Sequence, residues 1–422
     1  MSGEAKRFID REFTKHVLTL MTGTGLGQVI SLLLIPVVTR FFTPEDFSTF
    51  EQFAMLQAIL VVFATGKYEF AIMLPFEKDK SQALVRLAIK IACYFSIVLL
   101  VVLFIVKGQI ATAFQNSDLE NWLLLLPLAI LSFAIFNSLN YWFSKKKKYD
   151  IAATSKVIHP LVSEPTKISL GMAGWSGGGL IMAVLAGRLV TAGYMIKKYL
   201  DDVNGARVSK QLVSIVAHEY RKYPIYTIWG SLFGRLAQWS HIFLFSYFFG
   251  IWCIGFFALS RRLVLNPLNV LSNSFSQVFY QRISEIKDAK ELKHFYFRHL
   301  ARFSSLAGLM VLVIQVLPDN TMEVILGEEW SETMLFLKIL CWWFALNFIS
   351  SSLSFINHRL QKQEAMFVLD LLHFILIVGT ICWCFYLGMD AMATLTWFVI
   401  AKVVFFTINI FASVLFVSKN KD

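Results

Sequence analysis

The sequence predicts an all-α integral membrane protein of about twelve transmembrane helices. It places them in two pseudo-symmetric lobes of about six helices each, with both termini cytoplasmic. Three observations carry this: the composition, the charges between the apolar runs, and a polar division near mid-chain. Of 422 residues, 57% are hydrophobic and 16% charged, whereas a soluble chain carries roughly 25% charged residues. Apolar runs fall at 15–39, 47–74, 82–106, 119–143, 151–172, 175–196, 223–249, 251–280, 295–317, 331–356, 363–387 and 391–417. Each is about the length of a spanning helix. The loops left over are too short for a sizeable soluble domain.

Loop charges give the runs a direction. With the N-terminus inside, the cytoplasmic segments hold most of the 39 basic residues. They begin with Lys6, Arg7, Arg11 and Lys15, then Lys78, Lys80, Arg86 and Lys90, then Lys145 to Lys148. Lys197, Lys198, Arg207, Lys210, Arg221 and Lys222 follow, and after them Arg282, Lys287, Lys290, Lys293, Arg298 and Arg302. Arg359, Lys362, Lys419 and Lys421 complete the set. The opposite loops carry Arg40 and Lys107, and one of them is purely acidic, with Asp319, Glu323, Glu328, Glu329 and Glu332. This is the positive-inside pattern. It also absorbs most of the net charge of +11, so no nucleic-acid partner is implied.

The fifth run carries Lys156, His159, Glu164 and Lys167, and hydropathy alone would reject it. Omitting it would move every later basic loop outside, so the charge pattern retains it. A span this polar must face protein or water. The polar stretch 201–222 separates an N-terminal lobe, 1–200, from a C-terminal lobe, 223–422. Half a chain apart, Gly23 aligns with Gly230, Gly27 with Gly234 and Ile35 with Ile242. Both leading helices thus carry Gly-x-x-x-Gly, for which close helix packing is the ordinary explanation. Met1 to Lys15 is polar and lacks a signal peptide's features. Phe8, Ile9, Phe13 and Val17 lie there at the spacing of an interfacial helix. The five cysteines fall in apolar runs and imply neither disulfide framework nor metal site.

The remaining basic residues lie within spans: Lys67, Lys156, Lys167, Arg188, Arg235, Arg261, Arg262, Lys338 and Lys402. One Arg or Lys at a helix centre costs about 2.5–3.5 kcal/mol on insertion scales. Lys167 and Lys338 lie near span ends and can snorkel; Arg188, Arg235, Arg262 and Lys402 cannot do so easily. Acids at comparable depth are fewer: Glu69, Glu164 and Asp370, with Glu51 near an outer end. The interior keeps a positive excess that suits an anion, and the guanidinium fork suits phosphate. Lys156, His159, Ser163 and Lys167 share one helical stripe, either a polar seam against other helices or a cavity wall. His241 and His373 read as structural. Lys145 to Lys148 read as a topology determinant that could also attract anionic lipid. There is no P-loop, HExxH or nucleotide-binding glycine fingerprint. A transporter of this kind would therefore run on an H+ or Na+ gradient, the membrane potential or the substrate gradient, without a cofactor.

Four segments carry a family resemblance. Pro36-Val-Val-Thr-Arg40-Phe-Phe-Thr-Pro44-Glu-Asp-Phe47 follows the first helix, and Lys67-Tyr-Glu69-Phe-Ala71-Ile-Met-Leu-Pro75 ends the second. The eighth contains Ala258-Leu-Ser-Arg261-Arg262, Asn266-Pro267 and Ser274-Phe-Ser-Gln-Val-Phe279, and the tenth opens Leu326-Gly327-Glu-Glu-Trp330. Together they resemble Wzx-type bacterial polysaccharide flippases, in the superfamily that includes MATE transporters and the lipid II flippase. The resemblance implies a MATE-like fold in the bacterial inner membrane. It also implies movement of an undecaprenyl-diphosphate-linked oligosaccharide, such as an O-antigen unit for lipopolysaccharide, by alternating access. A polymerase and glycosyltransferases would then be pathway partners. Arg40, Glu69 and Arg262 lie inside the matched segments. The substrate-binding candidates are Arg40, Lys67, Lys156, His159, Arg188, Arg235 and Arg262, and the ion-coupling candidates Glu69, Glu164 and Asp370. A MATE-type antiporter should place acids on the first helix, and the run 15–39 has none. A polytopic enzyme should carry a catalytic loop, and a lipid II flippase two further helices.

Overall fold

A computed structural model describes residue 23 and residues 25–205, 208–286, 288–360 and 362–419. The expected interfacial segment with Phe8, Ile9, Phe13 and Val17 lies outside the described residues, as do Lys6, Arg7, Arg11, Lys15, Arg207, Lys287 and Lys421. Helices make up the described secondary structure. Eight are long and apolar enough to cross a membrane: Pro44–Ala64, Lys78–Ala113, Ser117–Lys145, Gly177–Val203, Ala289–Val316, Glu328–Asn357, Val368–Tyr386 and Ala391–Lys419. Gly25–Val38 is a shorter apolar helix. The expected spans at 151–172, 223–249 and 251–280 also form helices, but more polar or interrupted ones. Backbone polar groups have no water partner in hydrocarbon, so the helix is the form such runs must take.

The described residues form two compact units. One holds those up to Phe42 together with Thr49–Leu236; the other holds Thr43–Ser48 and those from Ala237 onward. The division thus falls inside a helix, beyond the stretch 201–222.

The first unit begins with α1 (Gly25–Val38) and α2 (Pro44–Ala64), whose first turn belongs to the second unit. Next come the single turn α3 (Tyr68–Ala71) and the long α4 (Lys78–Ala113). After α5 (Ser117–Trp122) come α6 (Leu126–Lys145), α7 (Tyr149–Met172) and α8 (Gly177–Val203). Glycine sets the approach of α1 and α8 to α7. A Cβ on Gly27 would stand 2.9 Å from the Lys156 carbonyl oxygen, and one on Gly23 equally close to the Ala153 backbone. Pro160 lies inside α7 and has no N–H for that Lys156 carbonyl, which is the atom Gly27 approaches. On the other side, a Cβ on Gly187 of α8 would stand 2.8 Å from the His159 carbonyl.

The stretch 201–222 is largely helical. α9 (Lys210–Glu219) is capped by Ser209, whose Oγ accepts from the Leu212 N–H at 3.1 Å. It docks on the first unit: Tyr68 donates to the Ala217 carbonyl at 3.0 Å, Lys80 meets Glu219 at 3.3 Å, and Val216 is buried. Beyond it, a π-helical turn, Tyr223–Thr227, leads into α10 (Ile228–Phe249).

In the second unit, α11 (Trp252–Ser260) continues through a π-helical segment, Arg261–Leu265, into α12 (Asn266–Glu285). Pro267 cannot donate to the carbonyl four residues back, and Asn266 instead donates to the carbonyl of Arg261, five back. There follow α13 (Ala289–Val316), α14 (Thr321–Leu326), α15 (Thr333–Leu353), α16 (Phe355–Arg359), α17 (Gln363–Tyr386) and α18 (Ala391–Lys419). Phe279, Tyr296, Phe303 and Phe348 anchor the apolar core between α12, α13 and α15. Amide and hydroxyl pairs join helices alongside it: Asn347 to Asn269 at 3.2 Å, Ser350 to Asn409 at 3.2 Å and Asn357 to Ser413 at 3.0 Å. Such bonds hold helices where lipid offers no hydrophobic drive.

The two Gly-x-x-x-Gly patterns behave differently. A Cβ built on Gly230 or Gly234 meets nothing within 4 Å among the described residues, so the second pattern packs against none of them. Gly27→Ala should therefore lower the melting temperature of the detergent-solubilised protein, at a cost of about 1–3 kcal/mol for overpacking. Gly234→Ala should leave it unchanged or raise it, since alanine favours a helix by roughly 0.5–1 kcal/mol. A thermal melt of both variants decides, and equal shifts would refute the assignment.

Candidate substrate-binding cations

The Thr43-Pro44-Glu45-Asp46 motif is a helix start. Asp46 accepts from the Thr43 N–H at 2.9 Å, and Thr43 Oγ1 accepts from the Asp46 N–H at 3.2 Å. This reciprocal pair is a capping box, with proline at the first helical position. Within the second unit, to which this turn belongs, the Phe47 ring lies 4.8 Å from the Arg262 guanidinium and 5.0 Å from the Trp330 ring. Trp330 in turn meets Phe256, and the Pro44 carbonyl sits where a Cβ on Gly255 would be, 2.0 Å away. Segments distant in sequence thus converge on Arg262. On the same π-helical segment, Arg261 stands over Trp239 at 5.1 Å and Phe257 at 6.0 Å. π-Helical turns are frequent at functional sites.

In the first unit the candidates fall into two groups. The first is where α2 breaks. Gly66 and Lys67 both adopt left-handed φ, 59° and 61°, which ends α2 and turns the chain into α3. Lys67 is buried, lies over Phe70 at 5.4 Å and is within electrostatic reach of Glu69 and Arg235. Glu69, also buried, accepts from the Thr65 hydroxyl. The Arg235 side chain is exposed. Behind this break, Lys145 donates to the Ile72 carbonyl at 3.2 Å and also to the Pro75 carbonyl and Ser81 Oγ. Lys148 and Lys146 clasp Asp202 of α8 at 2.6 and 3.4 Å, and Trp142 Nε1 donates to the same carboxylate at 3.0 Å. The tetralysine is therefore built into the fold, beyond any role in topology.

The second group lies along α7 and α8. Arg188 stands over Phe133 at 5.0 Å and Phe136 at 5.8 Å on α6. It meets no carboxylate among the described residues, and it and Lys167 are both within electrostatic reach of His159. His159 Nε2 and Ser163 Oγ are buried without a hydrogen-bond partner in the described structure. Glu164 takes Lys167 at 2.7 Å and the Ser31 hydroxyl of α1 at 3.0 Å. Lys156, on the same stripe, is half-buried. The polar stripe is thus largely a seam between α1, α7 and α8.

Arg40 lies exposed in the turn after α1, and Asp370 is exposed on α17. The pair that sequence reasoning missed is Lys402 with His373, 3.1 Å apart on α18 and α17. The signal was present, a lysine deep in one span and a histidine in another, but nothing in the sequence shows that they meet.

Lys67 holds a left-handed backbone that costs a non-glycine residue about 1–2 kcal/mol. Lys67→Gly should remove that cost and raise the melting temperature in detergent. A fall would show that the lysine's packing outweighs its strain.

Comparison with known proteins adds the family. The profile of a polysaccharide biosynthesis protein family matches residues 37–335. No curated protein matches the sequence. Among solved structures, the lipid II flippase MurJ in an inward closed conformation is similar with a TM-score of 0.70 at 13% identity, over 96% of this chain and 90% of that one. An inward-facing multidrug resistance MATE family transporter of the MOP superfamily gives 0.65 at 12% identity, over 95% and 96%. A MOP superfamily transporter from Pyrococcus furiosus gives 0.60 at 13% identity, over 97% and 96%. These likenesses establish the fold of a multi-pass membrane protein. With a family profile spanning most of its length, the chain belongs to the polysaccharide biosynthesis protein family.

Proposed function

We propose that the protein is a flippase rather than an enzyme. In this reading it moves an undecaprenyl-diphosphate-linked oligosaccharide, an O-antigen or related repeat unit, across the bacterial inner membrane by alternating access. Twelve spans with both termini cytoplasmic, in two lobes, would be its topology. The observation that carries the reading is the surplus of positive charge held inside spans. Arg188, deep in α8, stands over Phe133 and Phe136 and meets no carboxylate among the described residues. Cation–π contacts hold a charge at depth without neutralising it, worth about 0.5–2 kcal/mol each. A fixed cation that keeps its charge, as Arg188 does, can bind a diphosphate. The family's place in polysaccharide biosynthesis supports a glycan cargo, and the likeness to MurJ supports a lipid-linked one.

The candidate contacts are Arg40, Lys67, Lys156, His159, Arg188, Arg235 and Arg262, with Glu69, Glu164 and Asp370 as candidates for H+ or Na+ coupling. Neutralising Arg262 or Arg235 to Gln should reduce surface glycan display in cells by roughly tenfold or more, the loss of one charge-assisted contact, at unchanged membrane abundance. Display left intact by both substitutions refutes the cationic-site mechanism. The coupling carboxylates are tested separately. Transport by the purified protein that ignores both pH and sodium gradients would remove Glu69, Glu164 and Asp370 from the mechanism.

A further inference from the structure

The second unit holds a cluster of ionisable groups that substrate binding leaves unused. Lys402 lies midway along α18 and is 4% exposed. Its Nζ is 3.1 Å from Nε2 of His373 on α17, and it faces the rings of Trp343 at 5.0 Å and Phe398 at 5.3 Å. His373 is itself stacked on Phe405, with ring centroids 3.8 Å apart and planes 6° apart. His241 of α10 packs against the same two rings, 6.5 Å from Trp343 and 5.4 Å from Phe398. Both of its ring nitrogens are buried without a partner among the described residues. Arg261 is the further cation that acts on both Lys402 and His241. Asp370, one turn before His373, is exposed, and no carboxylate contacts the pair among the described residues.

This arrangement has one protonation state too many for its geometry. An ammonium can donate to an imidazole nitrogen only if that nitrogen keeps its lone pair. A second proton would put two cations 3.1 Å apart with no anion to separate them, a strongly unfavourable state in a low dielectric. Loss of the one proton leaves a neutral amine beside a neutral imidazole. That state strands no charge, as it would in a lysine–carboxylate pair. The pair is therefore built to hold one proton or none, and the aromatic rings stabilise the charged form without supplying a counter-ion.

We propose that Lys402 and His373 form a proton-binding site in the second unit that couples transport to the proton gradient. His241, behind the same aromatic pair, is a neighbouring imidazole for the proton's route. The inference rests on the transport reading for its purpose but not for its chemistry. Coupling then needs none of the carboxylates Glu69, Glu164 and Asp370.

Lys402→Arg separates a proton carrier from a fixed charge. Arginine keeps the cation and its aromatic contacts but does not release its proton in a protein. The first measurement uses the purified full-length chain in detergent, taken from pH 6 to pH 9.5 with an indicator dye. Wild type should release about one proton per chain more than Lys402→Arg. Lys402→Met should match Lys402→Arg and serves as the second variant should either accumulate poorly. Equal counts for wild type and both variants overturn the proposal. The second measurement is glycan display in cells, where Lys402→Arg at normal membrane abundance should lose roughly tenfold or more, as a fixed cation cannot replace a carrier. Display equal to wild type overturns the coupling. Glycan display that persists without the protein overturns the flippase reading instead, and the proton count then decides the site alone.

Discussion

A charge placed in hydrocarbon must be given a partner, and this protein's architecture turns on the partners chosen. Where a carboxylate is supplied, the cation serves the fold, as Lys167 with Glu164 inside a span and, at the cytoplasmic end expected for α6, Lys146 and Lys148 with Asp202. Where a carbonyl is supplied, the same holds, as for Lys145 and the carbonyls between α3 and α4. Arg188 instead receives the aromatic faces of Phe133 and Phe136, and Lys402 those of Trp343 and Phe398 beside His373. A π-face lowers the cost of burying the charge but leaves its field in place. The distinction sorts cations that build the protein from cations left to act on something else.

The same economy explains the helix irregularities. α2 ends at a left-handed Gly66–Lys67 pair, and Lys67 lies within electrostatic reach of Glu69 although two residues apart on a regular helix they would diverge. The π-helical segment at Arg261–Leu265 accommodates Pro267 and presents Arg261 and Arg262 to two different aromatic groups, Trp239 with Phe257 and Phe47. In α7, Pro160 frees the Lys156 carbonyl at the point where Gly27 allows α1 to approach. Each departure from a regular helix sits where a polar group needs a special position.

The candidate groups also differ in how much they depend on long-range packing. Glu164 and Lys167 are three apart and meet on one helix, so their pairing follows from helical spacing alone. Arg262 and Phe47 lie far apart in the chain and meet within the second unit, where the capping box at Thr43 fixes the start of α2. Lys402 and His373 belong to neighbouring helices, yet their meeting depends on the rotation of each about its own axis.

The sequence by itself determined the membrane character, the helical class and the positions of the apolar runs, because bilayer thickness and the need to satisfy backbone groups leave few choices. It also marked the surplus of buried cations, which is a matter of composition. The tertiary structure decided which of the cations are consumed by the fold, because that depends on what packs against each, as the Ser31 hydroxyl of α1 joins the Lys167–Glu164 pair. It decided that, among the described residues, one Gly-x-x-x-Gly pattern packs and the other does not, since identical patterns differ only in what lies opposite. It also brought a lysine and a histidine read as separate features into a single hydrogen-bonded pair. Hydropathy is a property of a segment, whereas a site is a property of the contacts between segments, and only the folded chain contains those.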